Sequence, residues 1–159
     1  MGSRSLAKFL TVGCWNVEGI YEKVNGVKLS KLDEPTFLER TKKFDILCLQ
    51  ETHVPQSEVI PKFDDFYTIP HCREKSANNR HFGGMLLFIR RTIKKGIKIG
   101  KQWDQDCFEI KLEKKFFGLN RDVNIVFTYA SPINSGYTNS RTANIIDKLE
   151  SDFEGGIVL

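Results

Sequence analysis

Residues 44–53 have the sequence FDILCLQETH. The first six residues are almost continuously apolar, which favours a β-strand covered on both faces over a strand half-exposed to water. The last four residues are polar, and the ends of buried strands project into the crevices where sheet folds build their sites. The stretch therefore predicts a buried strand that ends in side chains able to carry chemistry.

Further elements are predicted on both sides of this strand. Asp33 and Pro35 suit the start of a helix over residues 32–43, and Asn25-Gly26 indicates a turn. Prolines at 55, 61 and 70 favour a loop, a short helix and a short strand over residues 54–70. Residues 73–80 are polar and predict a surface loop. The other predicted elements are strands over residues 9–17, 85–90, 108–112 and 123–129, and a helix over residues 141–153.

Composition limits the class of protein. The 159 residues are 40% hydrophobic with a net charge of +4, which fits one globular domain and a polyanionic partner without requiring one. No apolar run reaches the ~18 residues of a membrane span, and no signal-peptide stretch opens the chain, so we expect an intracellular, soluble protein. The four cysteines form no CxxC pair; Cys14 and Cys48 lie in apolar runs and are interpreted as core residues.

A basic segment follows the predicted strand at residues 85–90. Two interpretations stay open: lysines that protect an exposed strand edge, or a patch that faces phosphates. The basic residues are Arg90, Arg91, Lys94, Lys95, Lys98 and Lys101.

Three predicted strands end in polar residues, at Asn16, Glu51 and Tyr129. Phosphodiester cleavage needs charge neutralisation, and Mg²⁺ prefers oxygen ligands such as a Glu carboxylate. An Asn amide can orient a phosphate oxygen, and a Tyr hydroxyl can donate to the oxygen where charge develops. Taken singly, each residue also has a structural interpretation. An Asn after a strand is usually a turn residue, a Glu there is usually solvated, and a strand Tyr usually packs in the core.

Four strings in this order resemble a known family. WNVEG (residues 15–19) is similar to the first motif of apurinic/apyrimidinic-type endonucleases, and DILCLQETH (45–53) to their second, with Glu51 at the metal-binding position. GGMLLFIRRTIKKGIK (83–98) resembles the next strand and basic turn of retrotransposon endonucleases, and VFTYASPINS (126–135) resembles the segment with the active-site tyrosine. The chain thus resembles the endonuclease domain of non-LTR (LINE-type) retrotransposons, within the exonuclease–endonuclease–phosphatase superfamily.

The resemblance implies a two-sheet α/β sandwich of the DNase-I-like type. It implies DNA hydrolysis that depends on Mg²⁺ (or Mn²⁺) and leaves a 3′-hydroxyl, which primes a reverse transcriptase domain downstream in the same polypeptide. By position, Asn16 supports the metal site, Glu51 binds the metal, Glu18 assists it and Tyr129 contacts the scissile phosphate. Arg90, Arg91, Lys94 and Lys95 would contact nucleic acid. The implied partner is DNA, with no membrane, and the implied site of action is nuclear.

Two departures from the family pattern bear on this assignment. Pro132 stands where repair enzymes have an asparagine, which favours the retrotransposon branch over a repair endonuclease. An RNA deadenylase and a phosphoinositide phosphatase stay open as alternatives within the superfamily. The Gly-Asp-x-Asn and Ser-Asp-His motifs lie outside the sequence. We therefore expect residues 1–159 to be the N-terminal part of one endonuclease domain: an incomplete sandwich, inactive and aggregation-prone alone. A decayed, non-catalytic copy that binds nucleic acid is the alternative from another class.

Overall fold

The computed structural model describes residues 9–73, 82–104, 106–130 and 157–158, with only the backbone at 103, 104, 157 and 158. The chain divides into two compact units, Met1–Gly96 and Ile97–Leu159. Each unit is described separately below. The predicted helix over residues 141–153 lies outside the described residues, as does the predicted loop beyond Arg73.

The first unit has a four-stranded sheet in the order β1-β4-β6-β5. Its strands are β1 (Val12–Asn16), β4 (Ile46–Gln50), β5 (Phe66–His71) and β6 (Met85–Arg90). β1 and β4 are parallel, with Asn16 opposite Gln50, whereas β6 is antiparallel to both β4 and β5. The apolar residues of β4 and β6 are almost fully buried, so the interpretation of both runs as two-sided buried strands is confirmed.

A hairpin and a helix complete the first unit. β2 (Tyr21–Val24) and β3 (Val27–Ser30) are joined at Asn25-Gly26, where both residues have positive φ (50° and 80°) as a tight hairpin turn requires. A 3₁₀ turn (Lys31–Asp33) then leads into α1 (Pro35–Thr41), which starts at proline as predicted. Leu32 and Phe37 pack into the core of this unit.

The second unit has a four-stranded sheet in the order β10-β9-β8-β7. Its elements are β7 (Ile97–Asp104), β8 (Cys107–Leu112), α2 (Lys114–Phe117), β9 (Val123–Thr128) and β10 (Ile157–Val158). β8 pairs antiparallel with both β7 and β9, and β10 is parallel to β9. The strands predicted over residues 108–112 and 123–129 are confirmed.

Three local predictions were wrong. Residues 54–65 form no helix: Pro55 allows a single turn, closed by the Glu58 N–H to its carbonyl at 3.0 Å. Arg73, predicted on a surface loop, is only 6% exposed. Cys14, predicted in the core, is exposed because β1 is the edge strand of its sheet, whereas its partner Cys48 on β4 is buried. No described helix is long and apolar enough to cross a membrane.

Candidate active site

The candidate site is built where the parallel strands β1 and β4 end. Beyond the last residues of these strands, the two segments that follow them stay joined by backbone hydrogen bonds. The N–H groups of Val17, Gly19 and Ile20 donate to the carbonyls of residues 50–52. These bonds measure 3.0, 2.6 and 3.0 Å. Because parallel strands present their carboxyl ends at the same edge, Asn16, Glu18 and Glu51 are brought to one place. The structure thus joins three of the predicted site residues.

The backbone of these two segments is strained. Glu18, Glu51 and His53 have φ of 47°, 54° and 54°, a left-handed region that L-residues occupy at a cost of about 1–2 kcal/mol each. They are three of the four non-glycine residues with positive φ among those described; the fourth, Asn25, lies in the hairpin turn. Strain of this kind collects at functional sites, where the surrounding fold holds it in place.

The side chain of Asn16 is held by its own loop. Its Oδ1 accepts a hydrogen bond from the Glu18 N–H at 3.0 Å, which fixes the amide plane. The amide Nδ2 is then directed away from this bond and can donate to a phosphate or carboxylate oxygen. Glu18 is exposed and Glu51 is half-buried.

Two adjacent glycines support the segment after β4. The N–H groups of Thr52 and His53 donate to the carbonyls of Gly84 and Gly83 at 3.2 and 2.9 Å. Gly83 and Gly84 have φ of 68° and 79°, and a Cβ on Gly83 would lie 2.6 Å from the Arg73 guanidinium. Glycine is therefore required here by both conformation and space. The sequence showed the glycine pair, but not its contact with the segment after β4.

His53 belongs to the site but was not predicted there. Its Nδ1 lies 3.2 Å from where a Cβ of Gly19 would be, and its ring meets that of Phe82 edge-on at 5.7 Å. Burial lowers the pKa of His53; Glu51 opposes this shift, whereas Arg73 and Lys31 add to it. The imidazole thus lies against Gly19 and Phe82, and its burial disfavours the protonated form. Its place directly after Gln50-Glu51-Thr52 was the available signal.

Comparison with known proteins now identifies the group to which this fold and this site belong. The sequence model described as Endonuclease/Exonuclease/phosphatase family matches residues 13–153, which includes both loops. The chain belongs to the endonuclease/exonuclease/phosphatase family. Its members are generally hydrolytic nucleases and phosphatases. This confirms the superfamily inferred from the four strings.

A solved structure of the same family has a similar fold. An endonuclease/exonuclease/phosphatase family protein from Leptotrichia buccalis C-1013-b superposes with a TM-score of 0.52 at 12% sequence identity. The match covers 94% of this chain and 66% of the Leptotrichia chain. It confirms the predicted α/β, DNase-I-like fold class. No curated protein matches the sequence.

Tyr129, the fourth predicted site residue, lies in the second unit. It directly follows β9, is half-buried, and its N–H donates to the Asp106 carbonyl at 2.9 Å. This bond fixes the backbone at the strand end, and the contact of the phenol with the scissile phosphate stays a prediction of the family resemblance.

The two arginines of the basic segment are engaged within the fold. The Arg90 guanidinium donates from Nε to Asp45 Oδ1 at 3.1 Å and from Nη2 to the carbonyls of residues 42 and 44 at 2.6 and 2.9 Å. Arg91 donates from Nε and Nη2 to the Phe63 carbonyl at 3.2 and 3.0 Å. Both thus have structural roles, which accounts for two of the residues that the phosphate-patch interpretation used.

The two lysines that follow differ from each other. Lys94 lies over the Tyr67 ring at 5.0 Å, and Lys95 is exposed. Among Arg90, Arg91, Lys94 and Lys95, a phosphate therefore reaches Lys95 with the least rearrangement. The contact of Lys95 with nucleic acid stays a prediction.

The chemistry of the site fits a hard divalent cation. Among the described residues, no three or more His, Cys, Asp or Glu side chains are arranged around one point. Mg²⁺ and Mn²⁺ use one or two carboxylates and complete their shell with water and substrate phosphate. Glu51, with Glu18 beside it and the Asn16 amide as support, supplies the oxygen atoms that such a site needs.

Proposed function

We propose that this chain forms part of a DNA endonuclease that depends on Mg²⁺ or Mn²⁺ and belongs to a LINE-type retrotransposon. One observation supports this most: the hydrogen-bonded, strained pair of loops that brings Asn16, Glu18 and Glu51 to the ends of two parallel strands. The family membership supports hydrolysis of a phosphate ester, and the oxygen donors support a divalent cation.

The proposed reaction is hydrolysis of one phosphodiester bond. A water oxygen bonds to phosphorus and the P–O3′ bond breaks, which leaves a 3′-hydroxyl and a 5′-phosphate. When bound, the cation would act as a Lewis acid on the phosphate. Glu51 would hold it, with Glu18 assisting, while the Asn16 amide donates to the substrate phosphate. Tyr129 would donate to a phosphate oxygen, on which charge increases in the transition state.

The substrate assignment rests on sequence. Residues 83–98 and 126–135 resemble retrotransposon endonucleases, and Pro132 stands where repair enzymes have an asparagine. The 3′-hydroxyl would then prime a reverse transcriptase domain in the same polypeptide, with target DNA in the nucleus as the site of action.

The test is a nicking assay with the polypeptide encoded by the complete reading frame. We expect it to convert supercoiled plasmid to the open-circular form with Mg²⁺ or Mn²⁺ and not with EDTA. A DNA polymerase should extend the nick without prior phosphatase treatment, because the product carries a 3′-hydroxyl. Glu51→Gln should lower the rate by about a hundredfold or more, since a bound cation stabilises the transition state by several kcal/mol.

The control is Glu39→Gln, which removes an exposed carboxylate of α1 whose ion pair is with Lys42. It should nick at the wild-type rate. Hydrolysis of RNA or of a phosphoinositide in place of DNA would keep the family chemistry but overturn the substrate assignment. Nicking that Glu51→Gln leaves intact would overturn the proposed site.

A further inference from the structure

A cavity of about 320 Å³ lies beside Asn16, within the first unit. Trp15, Asn16 and Glu18 line it from the end of β1, and Glu34, Phe37 and Arg40 line it from α1. Its volume is at the lower end of the ~300–1,000 Å³ of small-molecule sites. It therefore has room for one nucleotide unit and not for a duplex.

The wall of the cavity is aromatic. The Trp15 and Phe37 rings are stacked, with centroids 4.9 Å apart and planes inclined by 21°. Phe37 is only 6% exposed, whereas Trp15 is half-buried and keeps part of its indole accessible. A flat aromatic surface next to the strand end is what a nucleobase stacks on, and such contacts contribute without regard to base identity.

Two charged side chains on the α1 side have no partner in the part of the chain that the structure describes. Glu34 and Arg40 are exposed and form no hydrogen bond or ion pair with another described side chain. Glu34 precedes α1 and makes no capping hydrogen bond through its side chain. By contrast, Lys31, which also lines the cavity, donates a hydrogen bond to the Val17 carbonyl at 2.8 Å and forms an ion pair with Glu22 at 3.2 Å.

We propose that this cavity binds one unpaired nucleotide of the substrate strand next to the scissile phosphate, and that it selects guanine. This rests on the function proposed above. A carboxylate only accepts hydrogen bonds, and the Watson–Crick edge of guanine places two N–H donors, N1–H and the 2-amino group, side by side. Adenine and cytosine offer an amino group beside an acceptor nitrogen, and thymine has one N–H between two carbonyls. Glu34 therefore matches guanine, and Arg40 matches the phosphate of the same nucleotide.

The base must leave its stack to enter the cavity, as in other enzymes that bind an extruded nucleotide. Stacking on the accessible part of the Trp15 indole, which Phe37 supports from behind, offsets part of the unstacking that this costs. The cavity thus gives the enzyme a sequence preference at one position, separate from the hydrolytic step at Glu51.

The test measures binding of guanosine 5′-monophosphate (GMP) to the full-length protein in EDTA, by NMR chemical-shift perturbation or calorimetry. We expect GMP to bind about tenfold more tightly than inosine monophosphate, which lacks the 2-amino group, because a hydrogen bond to a charged group is lost. Glu34→Gln should remove that preference, and Arg40→Ala should weaken both nucleotides about tenfold. Glu39→Gln and Lys43→Ala, which change exposed α1-side charges outside the cavity, should bind as the wild type does.

Equal binding of the two nucleotides by the wild type, or an unchanged preference in Glu34→Gln, would overturn the inference. Circular dichroism shows whether each variant is folded. The ratio of the dissociation constants of GMP and inosine monophosphate is then measured for each folded variant. Plasmid nicking that Glu51→Gln abolishes, together with no GMP binding, would leave the proposed function standing and remove the cavity's role. GMP binding that Glu34→Gln alters, in a protein that nicks no DNA, would support a guanine site and refute the endonuclease.

Discussion

Gly83→Ala tests whether the glycine pair shapes the segment after β4, which contains Glu51. Gly83 has φ of 68°, and an added Cβ would lie 2.6–2.7 Å from three atoms of the Arg73 guanidinium. Contacts that short require the neighbour to move. Arg73 is only 6% exposed and already interacts with other groups, so its displacement carries a cost.

The magnitude has two parts. A left-handed backbone costs an alanine about 1–2 kcal/mol relative to glycine, and forcing extra volume against a packed group costs about 1–3 kcal/mol. Gly83→Ala should therefore lower the free energy of unfolding by about 2–5 kcal/mol. Gly26→Ala is the matched control, because its φ is 80° and nothing lies within 4 Å of the added Cβ. It should cost only about 1–2 kcal/mol.

Urea denaturation of the two variants, followed by far-ultraviolet circular dichroism, measures the difference. Gly83→Ala should also slow nicking, since the Gly83 carbonyl accepts the His53 N–H and so holds the segment after Glu51. If Gly83→Ala were no more destabilising than Gly26→Ala, the close packing of Arg73 beneath this loop would be refuted.

Three further predictions concern other groups. Burial holds the pKa of His53 below its ordinary 6.5. Because the unfolded chain then binds the proton at a higher pH than the folded chain, the free energy of unfolding should fall as the pH drops below 6.5. His53→Gln should reduce this fall, which unfolding curves measured at several acidic pH values would show. The neighbouring Cys48 thiol lowers the pKa of Cys14, whereas burial raises the pKa of Cys48. Iodoacetamide followed by mass spectrometry should therefore find Cys14 modified well before Cys48. Arg90→Ala should cost about 1.5–3 kcal/mol of stability through its lost hydrogen bonds, whereas Lys95→Ala should leave stability unchanged and reduce the salt slope of DNA binding by about 0.9.

The strands were predictable wherever a continuous apolar run in the sequence marked them. The runs that became β4 and β6 are apolar at every position but the last, and such a run favours a strand covered on both faces over one half-exposed to water. β7 was missed as a strand because lysines and glycine interrupt its pattern, and its pairing with β8 is irregular. Its existence depends on a neighbouring strand, which a local pattern does not contain.

The site was predictable in part for the same reason. Asn16 and Glu51 directly follow apolar runs, so their place at strand ends could be inferred from the sequence. The contributions of His53 and Arg73 could not, because they depend on which loop packs against which glycine. Likewise, the sequence left open whether Arg90 faces a phosphate or protects a strand edge, and only the structure shows that three hydrogen bonds engage it within the fold.

The most direct test of the central claim is where a divalent cation binds. Titration of the ¹⁵N-labelled protein with Mn²⁺ should broaden the amide signals of Glu18, Gly19 and Thr52 first, since these residues flank the proposed oxygen ligands. Glu51→Gln should abolish this selective broadening, and Glu39→Gln should leave it intact. If Mn²⁺ broadened signals elsewhere first, or if Glu51→Gln left the pattern unchanged, the ends of β1 and β4 would not form the metal site.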